Sequence, residues 1–230
     1  MENNLTEKDI ENLNKWAEKY YIEELKIKDK EKIFNLEELH ITIHNLTELP
    51  KEIGILTNLK ILDIDCYNLK ELPKEIFNLI NLEELNIGSE NLTELPKEIE
   101  NLTNLKILDI FNNLKELPKE IYNLINLEEL SIGSESLTEL PKEIGNLTNL
   151  KSLDIDCYLN ELPKEIYNLI NLKALYIMSD NLESFPDGIE RLTNLEILAI
   201  FGKPCNLKIL PIEEIKKLNN IKELEIRLKE

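Results

Sequence analysis

Leu82 to Asn104, LEELNIGSENLTELPKEIENLTN, is the stretch whose reading decides the fold. Counted from Leu82, apolar residues fall at unit positions 1, 4 and 6 (Leu82, Leu85, Ile87), then 11 and 14 (Leu92, Leu95), then 18 and 21 (Ile99, Leu102). Leu85-x-Ile87 alternates as a strand does, with Asn86 facing the other way. Leu95 to Leu102 has helical spacing, and Pro96 sits where a first helical turn needs no backbone N–H. Such a unit is too small to be stable alone. Burying each apolar side chain is worth roughly 1.5–3 kcal/mol, and ordering the backbone costs about 1–2 kcal/mol per residue. It must stack against copies of itself.

The copies are present. Position 1 is Leu36, Leu59, Leu82, Leu105, Leu127, Leu150, Leu172 and Leu195, in steps of 22 or 23 residues. Position 6 is Ile each time, from Ile41 to Ile200, and eight of the nine prolines recur with the unit. An asparagine precedes position 1 in every copy (Asn35, Asn58, Asn81, Asn104, Asn126, Asn149, Asn171, Asn194) and again at Asn220. The unbroken column implies side-chain amides bonding backbone groups between coils. Units also alternate in pairs, INLEEL-x-IGSE against TNLK-x-LDI, as duplication of a two-unit block would leave them.

From about Ile22 to Leu228 the chain resembles bacterial leucine-rich repeat proteins of the 23-residue kind, whose units read LxxLxLxxNxLxxLPxxIxxLxx. The resemblance implies an α/β solenoid with a parallel concave β-sheet and short helical or 3-10 turns on its convex side. It is nearly silent on function. One departure stands out. The family's asparagine at position 9 is here His44, Tyr67, Glu90, Glu135, Tyr158 or Asp180, and only Asn113 keeps it.

Outside the array, Thr6-x-x-Asp9 reads as a capping box, and Ile10, Leu13, Trp16, Ala17 and Tyr20 share one helical face. Residues 1–21 are therefore expected to be a helix capping the first coil. Residues 22–230 are expected to be the solenoid: a truncated first coil with a strand at Ile22-x-x-Leu25-x-Ile27, about eight regular repeats over 36–220, and a last strand over 221–228. Phe201 to Asn206 lengthens one turn, and Pro211 to Ile215 carries an extra residue.

A net charge of −18, from 45 acidic and 27 basic residues, opposes nucleic acid and anionic membrane and favours a basic partner. Cys66 and Cys157 lie four coils apart, roughly 19 Å at the spacing of strands, too far for a disulfide. With Cys205 they form an odd set without CxxC, which fits a reducing compartment. The first residues carry no apolar secretory core, and no apolar run reaches transmembrane length. The expected location is the cytoplasm, with a secreted or surface protein as the alternative if a leader precedes this stretch.

If positions 4 and 6 face the core, positions 3, 5 and 7 face out on the concave side. Two features emerge there. One is an apolar patch on the last regular coils, Ala174, Tyr176, Met178, Ile197, Ala199 and Phe201, in a chain that is 31% charged. Exposed aromatic and Met clusters mark protein interfaces. The competing reading is that the lengthened turn or the last coil folds over the patch as core. The other is an acidic strip, Asp63, Asp65, Asp109, Asp154 and Asp156, with Ile107 and Phe111 among it. It reads as a solvated face or as a seat for basic side chains, without the density of oxygens a metal needs.

His40 and His44 are the only histidines, about 13 Å apart on an extended segment. No glycine-rich phosphate loop follows a strand. The sequence therefore implies no enzyme, no cofactor and no metal. The expectation is a non-enzymatic module that binds a basic and apolar protein or peptide on the concave face. The partner-binding residues would be Ile107, Phe111, Ala174, Tyr176, Met178, Ile197, Phe201 and the five aspartates. The alternatives are a homodimer formed through the apolar patch, and a secreted adhesin or effector.

Overall fold

Each copy of the unit makes a strand, a turn and a tight return in a computed structural model that describes residues 6–26, 30–202 and 210–228. The strands are β1 (Glu38–Thr42), β2 (Ile61–Asp65), β3 (Glu84–Ser89), β4 (Ile107–Asn112), β5 (Glu129–Ser134), β6 (Ser152–Cys157), β7 (Ala174–Met178), β8 (Ile197–Gly202) and β9 (Glu223–Leu228). They form one parallel sheet in sequence order. Register follows the unit: Leu62 pairs with Leu85, and Leu85 with Leu108. Positions 4 and 6 are at most 2% exposed from β1 to β8. The parallel leucine-rich solenoid expected from the sequence is the fold observed.

The helical spacing resolves into 3-10 turns of five residues, such as Lys97–Asn101 and Lys142–Asn146. The proline caps the turn from outside, with Pro96 at φ −62°, rather than occupying its first residue. Ile99 and Leu102 are three apart, so a three-residue pitch stacks both toward the core, where both are fully buried.

The asparagine column is a hydrogen-bond ladder. Asn58, Asn81, Asn104, Asn126, Asn149, Asn171, Asn194 and Asn220 each donate from Nδ2 to a carbonyl of the preceding coil, at 2.7–2.9 Å. Each bond satisfies a backbone carbonyl between elements or, at Phe34, the last carbonyl of a helix.

At the N-terminal end, helix α1 (Glu7–Tyr20) starts at the expected capping box: Thr6 Oγ1 accepts from the Asp9 N–H, and the Asp9 carboxylate accepts from the Thr6 N–H. Ile10, Leu13 and Ala17 are buried in the common core, with Trp16 and Tyr20 packed partly against it. The strand expected at Ile22 to Ile27 is not formed where it is described. Ile22 and Leu25 are buried, but Glu23–Leu25 is a 3-10 turn, and Ile27 lies outside the described residues. Helix α2 (Lys30–Phe34) follows, and the sheet begins at β1. Near the other end, the extra residue after Pro211 turns the usual 3-10 segment into one turn of α-helix, α3 (Ile212–Ile215).

Candidate functional site

Pleating sets what the sheet presents. Position 5 runs His40, Asp63, Asn86, Asp109, Ser131, Asp154, Tyr176, Ala199, Glu225 across the strands, and position 7 runs Thr42, Asp65, Gly88, Phe111, Gly133, Asp156, Met178, Phe201, Arg227. The residues expected to form one site therefore fall into two groups. Tyr176, Met178, Ala174, Ile197, Ala199 and Phe201 adjoin on β7 and β8. Ile107 and Phe111 stand on β4, with β5 and β6 between them and that patch.

Within the patch, Met178 is 42% exposed while Ala199 is only 3% exposed and adds almost no surface. Tyr176 and Phe201 are half-buried. Asp154 and Asp156 border it on one side, Glu223, Glu225 and Arg227 on the other. The lengthened turn named above as its competing cover, with Cys205, lies outside the described residues.

The acidic group is graded. Asp63 faces His40, with Oδ2 at 3.3 Å from Nδ1. Asp154 is half-buried, and burial, with Asp156 and Asp109 nearby, raises its carboxyl above the usual aspartate range. Among the described residues, no group of His, Cys, Asp and Glu is placed to hold a metal ion. Cys66 and Cys157 are free and buried, their thiols directed to the Ile41 and Ile132 carbonyls. Burial pushes the Cys157 thiol up to about 12, so it stays protonated and unreactive at neutral pH.

Sequence reasoning missed two arrangements. At position 2, on the edge where strands begin, Lys60, Lys106, Lys151 and Lys222 reach back to Glu37, Glu83, Glu128 and Glu196 at 2.5–2.8 Å. The two-unit alternation was their signal. On the opposite edge, where strands end, a depression of about 490 Å³ runs from Asp65 and Tyr67 across Gly88, Glu90, Phe111, Asn112, Gly133 and Glu135 to Asp156 and Tyr158. Tyr67, Phe111 and Tyr158 are 49%, 50% and 39% exposed there. The Tyr67 hydroxyl pairs with the Glu90 carboxylate, which raises its pKa. The Phe111 ring lies over Gly133, where a Cβ would fall 2.4 Å from Cδ1. Its signal was the position-9 column, whose departures from asparagine were legible only as a lost ladder.

Position 8 is lined up with this edge. Ser89, Ser134 and Ser179 donate to the Leu69, Leu114 and Leu159 carbonyls of the preceding coils. Asn112 occupies the same position, is 7% exposed, and neither its Oδ1 nor its Nδ2 has a partner. The corresponding carbonyl, that of Leu92, takes the Asn113 N–H instead.

The comparisons with known proteins agree with this geometry. No curated protein matches the chain. A leucine-rich repeat protein of Leptospira interrogans is similar over 89% of this chain, at 38% identity and a TM-score of 0.76, and this chain spans 53% of it. The leucine-rich repeat domain of the type III effector XopL is similar over 84% of this chain and 70% of its own length, at 28% identity and a TM-score of 0.69. The ectodomain of the Arabidopsis thaliana receptor kinase GASSHO1/SCHENGEN3, solved in complex with Casparian strip integrity factor 2, is similar over 81% of this chain and 23% of its own, at 32% identity and a TM-score of 0.65. The family profile described as leucine-rich repeat region matches residues 12–113 and 119–230. Such repeats are commonly protein-interaction modules, generally without catalysis of their own, and among the described residues no helix is long and apolar enough to cross a membrane. With an unbroken coil repeat, its asparagine ladder and this profile over nearly its whole length, the chain belongs to the leucine-rich repeat proteins of the bacterial type.

Proposed function

We propose that this protein is a non-enzymatic binding module whose concave face takes a protein or peptide with a basic and apolar surface. The observation that carries this reading is the patch on β7 and β8. Met178 pairs in register with Phe201, Tyr176 lies one pleat away, and charged columns enclose them on both sides. A half-exposed Met beside aromatics is costly to leave in water and is the composition of interface centres. The carboxylates of β2, β4 and β6 would set the orientation of a basic partner and speed its approach. The receptor ectodomain solved with its bound factor supports a protein ligand for this fold. A second copy of the chain is the competing occupant.

The test is capture from lysate of the source cell by wild type and by a Tyr176→Lys/Met178→Lys variant with unchanged circular dichroism. A protein held by wild type and lost with the variant bears the reading out. Identical captures from both overturn it. Recovery of only the bait, with a doubled solution mass that the variant abolishes, replaces it with the homodimer.

A further inference from the structure

Among the described residues, β9 pairs with β8 and has no strand on its other side. The ladder shows which of its backbone groups that leaves open. In earlier coils the position-8 N–H donates forward to the next coil: Ile43 to the Asp65 carbonyl at 3.2 Å, Cys66 to Gly88 at 2.9 Å and Ser179 to Phe201 at 2.9 Å. In β9 the Glu223 N–H points the other way, to the Glu196 carbonyl at 3.1 Å. Backbone groups alternate between the two edges of a strand, so Leu224, Ile226 and Leu228 turn their N–H and C=O to the open edge. On the core side of that edge Leu224 is 49% exposed and Ile226 is only partly buried.

Charges on an edge strand ordinarily keep copies apart. Here their order does the opposite in one register. Residues 222–230 read Lys-Glu-Leu-Glu-Ile-Arg-Leu-Lys-Glu. Turned end for end about Ile226, every acid falls on a base and every apolar residue on an apolar one. Glu225 meets Arg227 and Leu224 meets Leu228, and the sequence continues the rule with Glu223 against Lys229 and Lys222 against Glu230. An axis one residue earlier would set Glu225 on itself, and one residue later Arg227 on itself. Opposite charges directly across a strand pair are favourable and like charges are not, so charge selects the axis at Ile226. The stretch is also neutral, three acids against three bases, in a chain of net charge −18. Two copies approach there with the least like-charge repulsion. A further coil in parallel register would make no such demand on the order of charges.

We propose that the open edge of β9 is a self-association surface, on which two copies of this chain pair β9 with β9 antiparallel about a twofold axis at Ile226. The Ile226 residues exchange N–H and C=O bonds with each other, and Leu224 exchanges them with Leu228 of the second copy. Arg227, which already pairs with Glu225 of its own strand, also meets Glu225 of the second copy on the concave side. One sheet then runs through both molecules with both concave faces on the same side, and the two β7–β8 patches flank the axis. The inference does not depend on what occupies those patches. A single strand edge buries less than the about 1,200–2,000 Å² of a standard interface, so the pair is weak, single at about 1 µM and double at about 200 µM.

Sedimentation velocity of the full chain over that range is the test, with the mass expected to rise from one chain toward two. Glu225→Arg sets Arg against Arg, and Arg227→Glu sets Glu against Glu. Each alone should weaken association at least about tenfold. Mixed one to one, the two variants again place opposite charges at both contacts, and they should associate with each other about as tightly as wild type does with itself. Both side chains lie on the concave face, and circular dichroism checks that each variant is folded. Hydrogen exchange at the Ile226 amide should slow in wild type as concentration rises. A wild type that stays single, single variants that associate like wild type, or a mixture that stays apart overturns the inference, as does a double mass with no slowing at Ile226. A dimer lost in Tyr176→Lys/Met178→Lys but kept in the β9 variants belongs to the apolar patch and also overturns it. The capture experiment reads the patch independently, so either reading can fail alone.

Discussion

The two ends of this solenoid are built differently. At the N-terminal end, α1 lies beside the first coils and buries Leu13 and Ala17 completely, and Asn12 donates to the buried Glu52 carboxylate at 3.0 Å. Leu39, the position-4 residue of β1, is fully buried at this end. At the other end, Leu224 holds position 4 of β9 and is 49% exposed, with Ile221 and Ile226 only partly covered. Among the described residues, the same unit position thus gives either a full core residue or a half-wet one, according to whether a neighbour lies on both sides. That is how a one-dimensional array should behave. Each coil's stability is mostly its interfaces, and a coil with one interface is the weakest. Opening is expected to begin at β9 and to travel toward α1.

The sharpest way to break this contrast is a pair of leucine truncations. Leu13→Ala should cost about 2–5 kcal/mol, the range for fully buried leucine, whereas Leu224→Ala should cost less than about 1 kcal/mol. Urea unfolding measures both, and equal losses would mean that the ends are alike. A pair of ladder deletions comes next. Asn58→Ala and Asn220→Ala each remove one side-chain bond to a carbonyl, worth about 1 kcal/mol. Hydrogen exchange should show the loss at Asn220 confined to β9, and the loss at Asn58 spread through the coils that rest on it. A third variant strengthens the covered end. Tyr21 caps α1 in the left-handed region, φ 60° and ψ 34°, with an 80% exposed ring. Glycine adopts that conformation without the Cβ penalty, so Tyr21→Gly should stabilise the protein by about 0.5–1 kcal/mol and raise its Tm. An unchanged or lower Tm would show that the Tyr21 ring contributes packing that its exposure conceals.

The regular array was legible because its signal is redundant: eight leucines at position 1 and eight isoleucines at position 6 each state the same register. The asparagine ladder was legible for the same reason. The ends were not, because each occurs once. Ile22-x-x-Leu25-x-Ile27 copies the spacing of the unit's strand, yet among the described residues no strand lies beside it to hold it extended, and Glu23–Leu25 turns instead. The concave columns could be read, but not their grouping. The register places Asp154 and Asp156 beside Tyr176 and Met178, but sets two strands between Tyr176 and the pair Asp109 and Phe111, and four between Tyr176 and the pair Asp63 and Asp65. The unpartnered state of Asn112 is a tertiary fact, since the same position is satisfied in other coils by a shorter side chain.

Between the two ends, the acidic face adds a smaller, pH-dependent term that tests whether the middle coils carry strain of their own. Asp154 is raised above the ordinary aspartate value chiefly by burial, then by Asp156 and Asp109. Ser131 and Tyr176 flank it in register, and neither supplies a positive charge. The folded state therefore holds this proton to higher pH than the unfolded chain does. Its contribution favours folding fully at pH below the unfolded value and is lost as pH climbs through the raised folded value. At neutral pH the ionised carboxylate is a net cost. Asp154→Asn removes it, so the variant should melt at a higher temperature than wild type near pH 7, and the gap should close as pH falls through the carboxylate range. The other acidic groups titrate in both proteins, so the difference between the two melting curves isolates this one. A gap that stayed constant with pH would assign the gain to the amide's hydrogen bonds instead, and a variant less stable at neutral pH would mean that the charge at Asp154 is held by a partner rather than penalised by burial.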